Sequence, residues 1–168
     1  LLAFSTSSSA ATLPVTMERV EEHLGVDEEV ASFVCPVGAT INMDGTSLYQ
    51  AVAAVFICQT LNCGLTLGDQ LTIVLTALMA SIGSAAVPGA GMIMLVIVLD
   101  SLGVSKETLM VGLALIFAID RPLDMLRTTI NVTGDAAVSM IIAKSVGKLS
   151  KPEVKNWDDH YQKEISDT

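Results

Sequence analysis

Asp120-Arg121-Pro122-Leu123-Asp124-Met125-Leu126-Arg127-Thr128-Thr129-Ile130-Asn131-Val132-Thr133-Gly134-Asp135 decides how this chain is read. On an α-helix, at about 100° per residue, Asp120, Asp124, Arg127, Asn131 and Asp135 share one narrow face. A soluble amphipathic helix could carry such a face into water. In an apolar chain the same face is expensive, because an ionisable side chain at the bilayer centre costs about 2.5–3.5 kcal/mol on insertion scales. A polar stripe in that setting marks a pathway for ions or a charged solute.

The residues around the stripe settle which setting applies. Hydrophobic residues make up 51% of the chain and charged residues only 16%, and the mean hydropathy is +0.60. Val30–Met43, Gly45–Gly68, Gln70–Leu99 and Thr108–Ile119 contain no Asp, Glu, Lys or Arg. A spanning helix takes about 20 apolar residues, and two of these runs exceed that length. The expected class is therefore an all-α integral membrane protein. A net charge of −9 offers no basic patch to displace counterions from phosphates, which excludes nucleic acid as a partner. Cys35, Cys58 and Cys63 lack metal-ligand spacing and read as small buried hydrophobes. His23 has no partner pattern. Asp44, or Asp120 with Asp124, could form a carboxylate pair, but no nucleophile–base set, zinc motif or phosphate loop accompanies them, so the chain is not expected to be an enzyme.

The apolar runs are interrupted. Leu1–Ala11 is rich in small residues and ends at Thr12-Leu13-Pro14, after which the charged stretch Val15–Glu29 reads as a helix end and loop outside the membrane. A helix over 30–62 is broken by the turn-forming Asn42-Met43-Asp44-Gly45-Thr46. Backbone freed by such a break at bilayer depth needs a cavity or protein partners. Residues 67–100 form two apolar arms joined by Gly83-Ser84-Ala85-Ala86-Val87-Pro88-Gly89-Ala90-Gly91, the composition of a re-entrant hairpin. A last helix over 106–147 should kink or loosen near Asp120, because Pro122 falls inside it. Lys144 and Lys148 close it and place that end in the cytoplasm by the positive-inside rule; residues 148–168 read as a soluble tail. Ser9-Ala10-Ala11-Thr12-Leu13-Pro14 also echoes Ser84-Ala85-Ala86-Val87-Pro88, a faint internal repeat of the kind transporters carry. The abrupt start at Leu1, within an apolar-then-serine segment, reads as a fragment of a longer protein.

Four ordered motifs carry a family resemblance. Ser7-Ser8-Ser9 before Thr12-Leu13-Pro14, then Gly38-Ala39-Thr40-Ile41-Asn42-Met43-Asp44-Gly45-Thr46, then Ala85–Gly91, then Asp124–Asp135 resemble the glutamate/aspartate:sodium symporters, over residues 1 to 147. The resemblance implies part of an elevator-type transport core made of two re-entrant hairpins and discontinuous helices. It implies sodium-driven symport of L-aspartate or L-glutamate in a multi-pass plasma-membrane protein, trimeric at full length and surrounded by lipid. Sodium would be the coupling ion, with no other cofactor. Carriers of neutral amino acids or C4-dicarboxylates, sodium- or proton-coupled, are the alternatives within the family, and an ion channel is the alternative outside it.

By the same resemblance, Arg127 would hold the substrate's side-chain carboxylate, a role suited to its planar, permanently charged fork. Asp124 would accept the substrate ammonium. Asn131 and Thr128 would bond its main-chain carboxylate, and Ser9, Thr46 and the backbone of Val87, Pro88, Gly89, Ala90 and Gly91 would complete the pocket. Asp135, with the backbone oxygens of Gly38, Asn42 and Asn131, would form one sodium site, and Asp44 with the Asn42 side chain would serve a second. The backbone oxygens of Thr40, Ser81, Ile82 and Ser84, near the Met43 sulfur, would make a third. Hard oxygen ligands suit sodium. Some family members carry an arginine at the position of Ser7 or of Met125. Here Arg121, one turn before Met125, is expected to take over that part. Asp120 is expected to pair with Arg121 or another internal polar group.

Overall fold

Side-chain caps fix where several helices begin. The structure, a computed structural model, describes residues 1–152. Those residues form α1 (Leu2–Thr6), α2 (Ser9–Glu22), α3 (Glu28–Ile41), α4 (Asp44–Thr60), α5 (Leu67–Ile82), α6 (Ala90–Asp100), α7 (Lys106–Phe117) and α8 (Asp120–Ser145). The hydroxyl of Ser8, the carboxylate of Asp27 and the hydroxyl of Ser105 accept backbone N–H groups in the first turns of α2, α3 and α7, and Thr66 with Asp69 closes a reciprocal box at α5, each satisfying a donor that has no partner within its helix. The α4, α6 and α8 starts have no side-chain cap of their own. Among the described residues the fold is helical throughout, apart from an isolated bridge between Val26 and Leu149. The expected tail lies largely at 153–168, outside the described residues.

Two broken helices run antiparallel and set the frame. Near one end, Asp27 N donates to the Lys148 carbonyl at 3.1 Å, and the Lys148 ammonium pairs with the carboxylates of Glu29 and Asp27. Hydrogen bonding to Glu29 raises the Lys148 pKa. Further along, Cys35 Sγ meets Ser139 Oγ at 3.4 Å, Asn42 reaches Asp135, Gly45 reaches Asn131 and Tyr49 reaches Asp120. At the far end Ile57 packs on Gly112. Thus α3 and α4 track α8 and then α7 in reverse, and each line has its break beside a polar stretch of the other.

Two apolar clusters flank that polar stretch. Val20, Val26, Val30, Ala31, Val34, Cys35 and Ala143 join α2, α3 and α8. Ile57, Cys58, Ile73, Leu95, Val98, Leu99 and Ile116 join α4 to α7. Many large apolar side chains point outward as well: Leu67, Leu71, Val74, Leu75, Leu78 and Met79 of α5 are all exposed. No helix of the described residues is long and apolar enough to cross a membrane.

Three expectations change. The last helix is two elements, parted at Ala118 and Ile119. Pro122 lies in the first turn of α8, where an N–H has no acceptor within the helix, so the chain restarts ahead of the proline and does not kink around it. By contrast, α2 runs through Pro14 in its interior, giving up the hydrogen bond that an N–H there would make to the Ala10 carbonyl. Cys35 and Cys58 are buried as expected, but Cys63 is exposed in a turn beyond the end of α4.

Candidate functional site

The stripe on α8 faces inward. Asp124, Arg127, Thr128, Asn131 and Asp135 are all buried, between 2% and 5% exposed. Arg127 Nη2 donates to Asp124 Oδ1 at 2.5 Å, and the guanidinium lies over the Tyr49 ring, 4.6 Å from its centroid. That geometry is a cation–π contact added to a buried ion pair. Thr128 turns back to donate to the Asp124 carbonyl at 3.0 Å.

Uncapped helix starts are satisfied from α8. Gly89 N, at the start of α6, donates to Asp124 Oδ2 at 2.9 Å. Gly45 N, in the first turn of α4, donates to Asn131 Oδ1 at 2.8 Å, and Asn131 Nδ2 donates to Thr46 Oγ1 at 3.2 Å. Caps supplied by another helix leave two positive helix ends directed at one buried region, which favours anions there.

The two small-residue tips meet at the same place. Ser7 ends α1 in the left-handed region with φ 52°, and next to it Ser8 Oγ donates to the Ala86 carbonyl at 2.8 Å, where Ala10 N also donates at 3.4 Å. Beneath the tips is a pocket lined by Ser7, Ser9, Met43, Thr46 and Ser84 through Val87, then by Ala90, Gly91, Asp124, Arg127, Thr128 and Asn131. Its free room is about 10 Å³, on the order of one water. Ser7 Oγ, Ser84 Oγ and Arg127 Nη1 are buried there with no hydrogen-bond partner among the described residues. Buried donors in folded proteins are nearly always paired, so these three mark where a polar ligand would be held.

Of the residues expected to bind substrate, Ser9, Thr46, Val87, Ala90, Gly91, Asp124, Arg127, Thr128 and Asn131 line this pocket. Gly89 reaches it through Asp124, whereas Pro88 is exposed at the tip. Among the residues expected at ion sites, Asp135 Oδ1 accepts from Asn42 Nδ2 at 3.0 Å, and Gly38 leaves the space in which that carboxylate sits. A methyl group on Gly134 would lie 2.9 Å from Asp44 Oδ2 and 3.0 Å from Asn42 Nδ2, so Asp44 and Asn42 share one edge of α8. Met43 and Ser84 line the pocket together, and the Ser81 carbonyl accepts from Ser84 N at 3.1 Å. Thr40 and Ile82 lie exposed at the ends of α3 and α5.

The structure adds partners for the remaining charges. Asp120 Oδ1 accepts from the Tyr49 hydroxyl at 2.8 Å, and the Met92 sulfur lies 3.2 Å from that hydroxyl oxygen. Arg121 Nη1 comes within 3.9 Å of Asp124 Oδ2, its own side chain more than half exposed. Tyr49 therefore links Asp120 to Arg127. An aromatic one turn from Thr46 on a buried helix face reads as core, so in sequence its only sign was that spacing.

Buried charges grouped where broken helices and two tips meet are the arrangement by which secondary transporters bind a solute and its coupling ions. The comparisons with known proteins name the family. A profile described as the sodium:dicarboxylate symporter family matches residues 1–145, and the chain belongs to that family. It is 50% identical over 158 residues to excitatory amino acid transporter 1 of Homo sapiens, covering 94% of this chain and 28% of the relative. It is likewise 50% identical over 158 residues to excitatory amino acid transporter 3 of Oryctolagus cuniculus, covering 94% and 29%. A Caenorhabditis elegans excitatory amino acid transporter is 50% identical over 142 residues, covering 84% and 27%. The chain thus spans less than a third of the length of these relatives.

Proposed function

We propose that this chain is the solute- and ion-binding part of a membrane transporter that couples sodium entry to uptake of an acidic amino acid. The observation that carries the reading is Arg127. It is buried, paired to Asp124 at 2.5 Å, and one of its terminal nitrogens has no partner. A guanidinium held that way offers its free edge to a carboxylate, and Asp124 then becomes available to a substrate ammonium. A solute carrying both groups exchanges one internal ion pair for two, so no buried charge is left alone. A neutral amino acid satisfies only part of that set, and a dicarboxylate without an amine leaves Asp124 unpaired.

Sodium fits the neighbouring groups. Asp135 beside Gly38 and Asn42, and Asp44 beside Asn42, combine hard carboxylate and carbonyl oxygens near the α3–α4 break, where backbone oxygens leave the helix pattern. The third set would draw on Met43, Thr40 and the carbonyls at the end of α5. The exposed apolar faces of α5 and other helices suit lipid or a surrounding scaffold. The segments α1–α2 and α5–α6 would act as re-entrant hairpins within a core that moves as an elevator, in a trimeric multi-pass plasma-membrane protein with the Lys148 end in the cytoplasm.

Uptake of radiolabelled L-aspartate by the full-length parent in proteoliposomes, with sodium or choline outside and unlabelled amino acids competing, tests the reading. Uptake should require sodium and be blocked by L-glutamate, and Arg127→Cys should abolish it. Aspartate uptake that persists in choline, or in Arg127→Cys, would refute the assignment.

A further inference from the structure

Two cysteines close the end of α4. Asn62 N donates to the Gln59 carbonyl at 3.3 Å and Cys63 N to the Cys58 carbonyl at 2.8 Å, while Asn62 takes a left-handed φ of 53°. These are the paired bonds of a Schellman turn, which brings together the side chains at its first and last positions. Both of those positions are cysteine here, so the backbone of the turn places the two side chains next to each other. Cys58 is buried in the apolar cluster with Ile57 and Leu99, whereas Cys63 is exposed. A shielded thiol beside an accessible one is the arrangement of an oxidisable pair.

The position of the turn matters as much as its geometry. The antiparallel pairing of the broken helices puts it at the opposite end of the core from Lys148. On the transport reading, the Lys148 end faces the cytoplasm, which leaves this turn on the outer side, away from the glutathione pool that keeps thiols reduced. The turn also leads straight into α5, the first arm of the hairpin whose tip bonds Asp124 through Gly89.

We propose that Cys58 and Cys63 are a redox-modified dithiol that closes to a disulfide across the α4–α5 turn when a peroxide-class oxidant reaches the outer face, slowing the movement of the hairpin that follows. The chemistry balances with the peroxide alone. The Cys63 thiolate attacks one peroxide oxygen and the O–O bond breaks, leaving a sulfenic acid and a hydroxide that takes up the proton the thiol had lost and departs as water. The Cys58 sulfur then attacks the Cys63 sulfur, and the S–OH bond breaks, its hydroxyl leaving with the Cys58 proton as a second water. The two thiols lose two electrons and the peroxide gains them. The slowing rests on the transport reading; bond formation does not.

Full-length protein in right-side-out vesicles is treated with hydrogen peroxide, alkylated with iodoacetamide and digested with chymotrypsin without reduction. Cleavage at Leu61 leaves the Cys58 and Cys63 peptides held together by the bond alone. Mass spectrometry should find them joined, lighter by two hydrogens than the free pair, and separated by dithiothreitol. Uptake should fall severalfold with peroxide and recover with dithiothreitol. Cys63→Ser, a surface change that does not endanger the fold, should abolish both responses. Two alkylated thiols after peroxide, a Cys63 sulfinic acid, or a Cys63–Cys63 bond between copies would overturn the pair. A joined pair with unchanged uptake would overturn the slowing. Untreated protein without sodium-dependent uptake would instead overturn the transport reading, and with it the slowing, while the joined peptides would still support the dithiol.

Discussion

Gly91→Ala should cripple solute binding while leaving the fold intact. A Cβ at Gly91 would overlap Arg127 Nη1 and lie 2.9 Å from Nη2. Restoring an ordinary contact of about 3.5 Å pushes the guanidinium back by roughly 1 Å or more. That displacement breaks the geometry of the 2.5 Å pair with Asp124 and the 4.6 Å contact with Tyr49. The displaced fork then misses one charge-assisted hydrogen bond to the substrate carboxylate, worth about 1.5–3 kcal/mol, which predicts a loss of roughly 10- to 100-fold in aspartate affinity. Stability should hold, because alanine gains about 1 kcal/mol over glycine in a helix and Asp124 keeps its bond from Gly89. Gly45→Ala supplies the contrast. Its Cβ would meet the Arg127 carbonyl and lie 2.9 Å from the Arg127 Cα, and backbone cannot swing aside. The α4–α8 contact must open, at a cost of about 1–3 kcal/mol from overpacking. Concentration-dependent uptake in proteoliposomes and thermal melting in detergent separate the two outcomes. A folded Gly91→Ala protein with wild-type KM would refute the reasoning.

Tyr49→Phe keeps the ring under Arg127 but removes the donor to Asp120, so KM for aspartate should rise a fewfold with little change in melting temperature; a change in melting alone would make Tyr49 a packing residue. Asp135→Asn keeps the bulk beside Gly38 but removes the negative charge, and a right-shifted sodium titration of uptake is expected, with an unchanged titration counting against that site. Arg121→Ala removes an exposed cation 3.9 Å from Asp124; the expected result is an altered turnover or affinity for aspartate, lost selectively at high ionic strength because an exposed charge is screened. Identical kinetics at low and high salt in wild type and variant would sink that role.

The stripe on α8 was legible because a 3.6-residue period and buried charge leave their mark in one continuous segment. The α3–α4 break was legible as well, since Asn42-Met43-Asp44-Gly45 supplies turn formers within an apolar run. What escaped were relations between distant segments. Nothing near Gly45 announces that its N–H will be capped by Asn131, 86 residues away, and Asp120 could not be matched with Tyr49 without the fold. Pro122 gave an interruption near Asp120, where the helix parts, but not its form. A proline is tolerated in the first turn as readily as it disrupts an interior, and the helix settled on the first option. Cys63 was misread because cysteine is usually buried, although Asn62 and Gly64 on either side are turn residues.

Gly38, Gly45, Gly91 and Gly134 also say where this sequence is free to vary. At each, an added methyl would strike a group of the site: the Asp135 carboxylate, the Arg127 backbone, the Arg127 guanidinium, or Asp44 with Asn42. A deep substitution scan should therefore find these glycines among its intolerant positions alongside Arg127, although they carry no functional group. The outward apolar positions of α5, by contrast, should accept any side chain of similar hydrophobicity. Specificity in such a core drifts through the charged side chains and the tip residues, while the glycines hold the distances at which those changes can act.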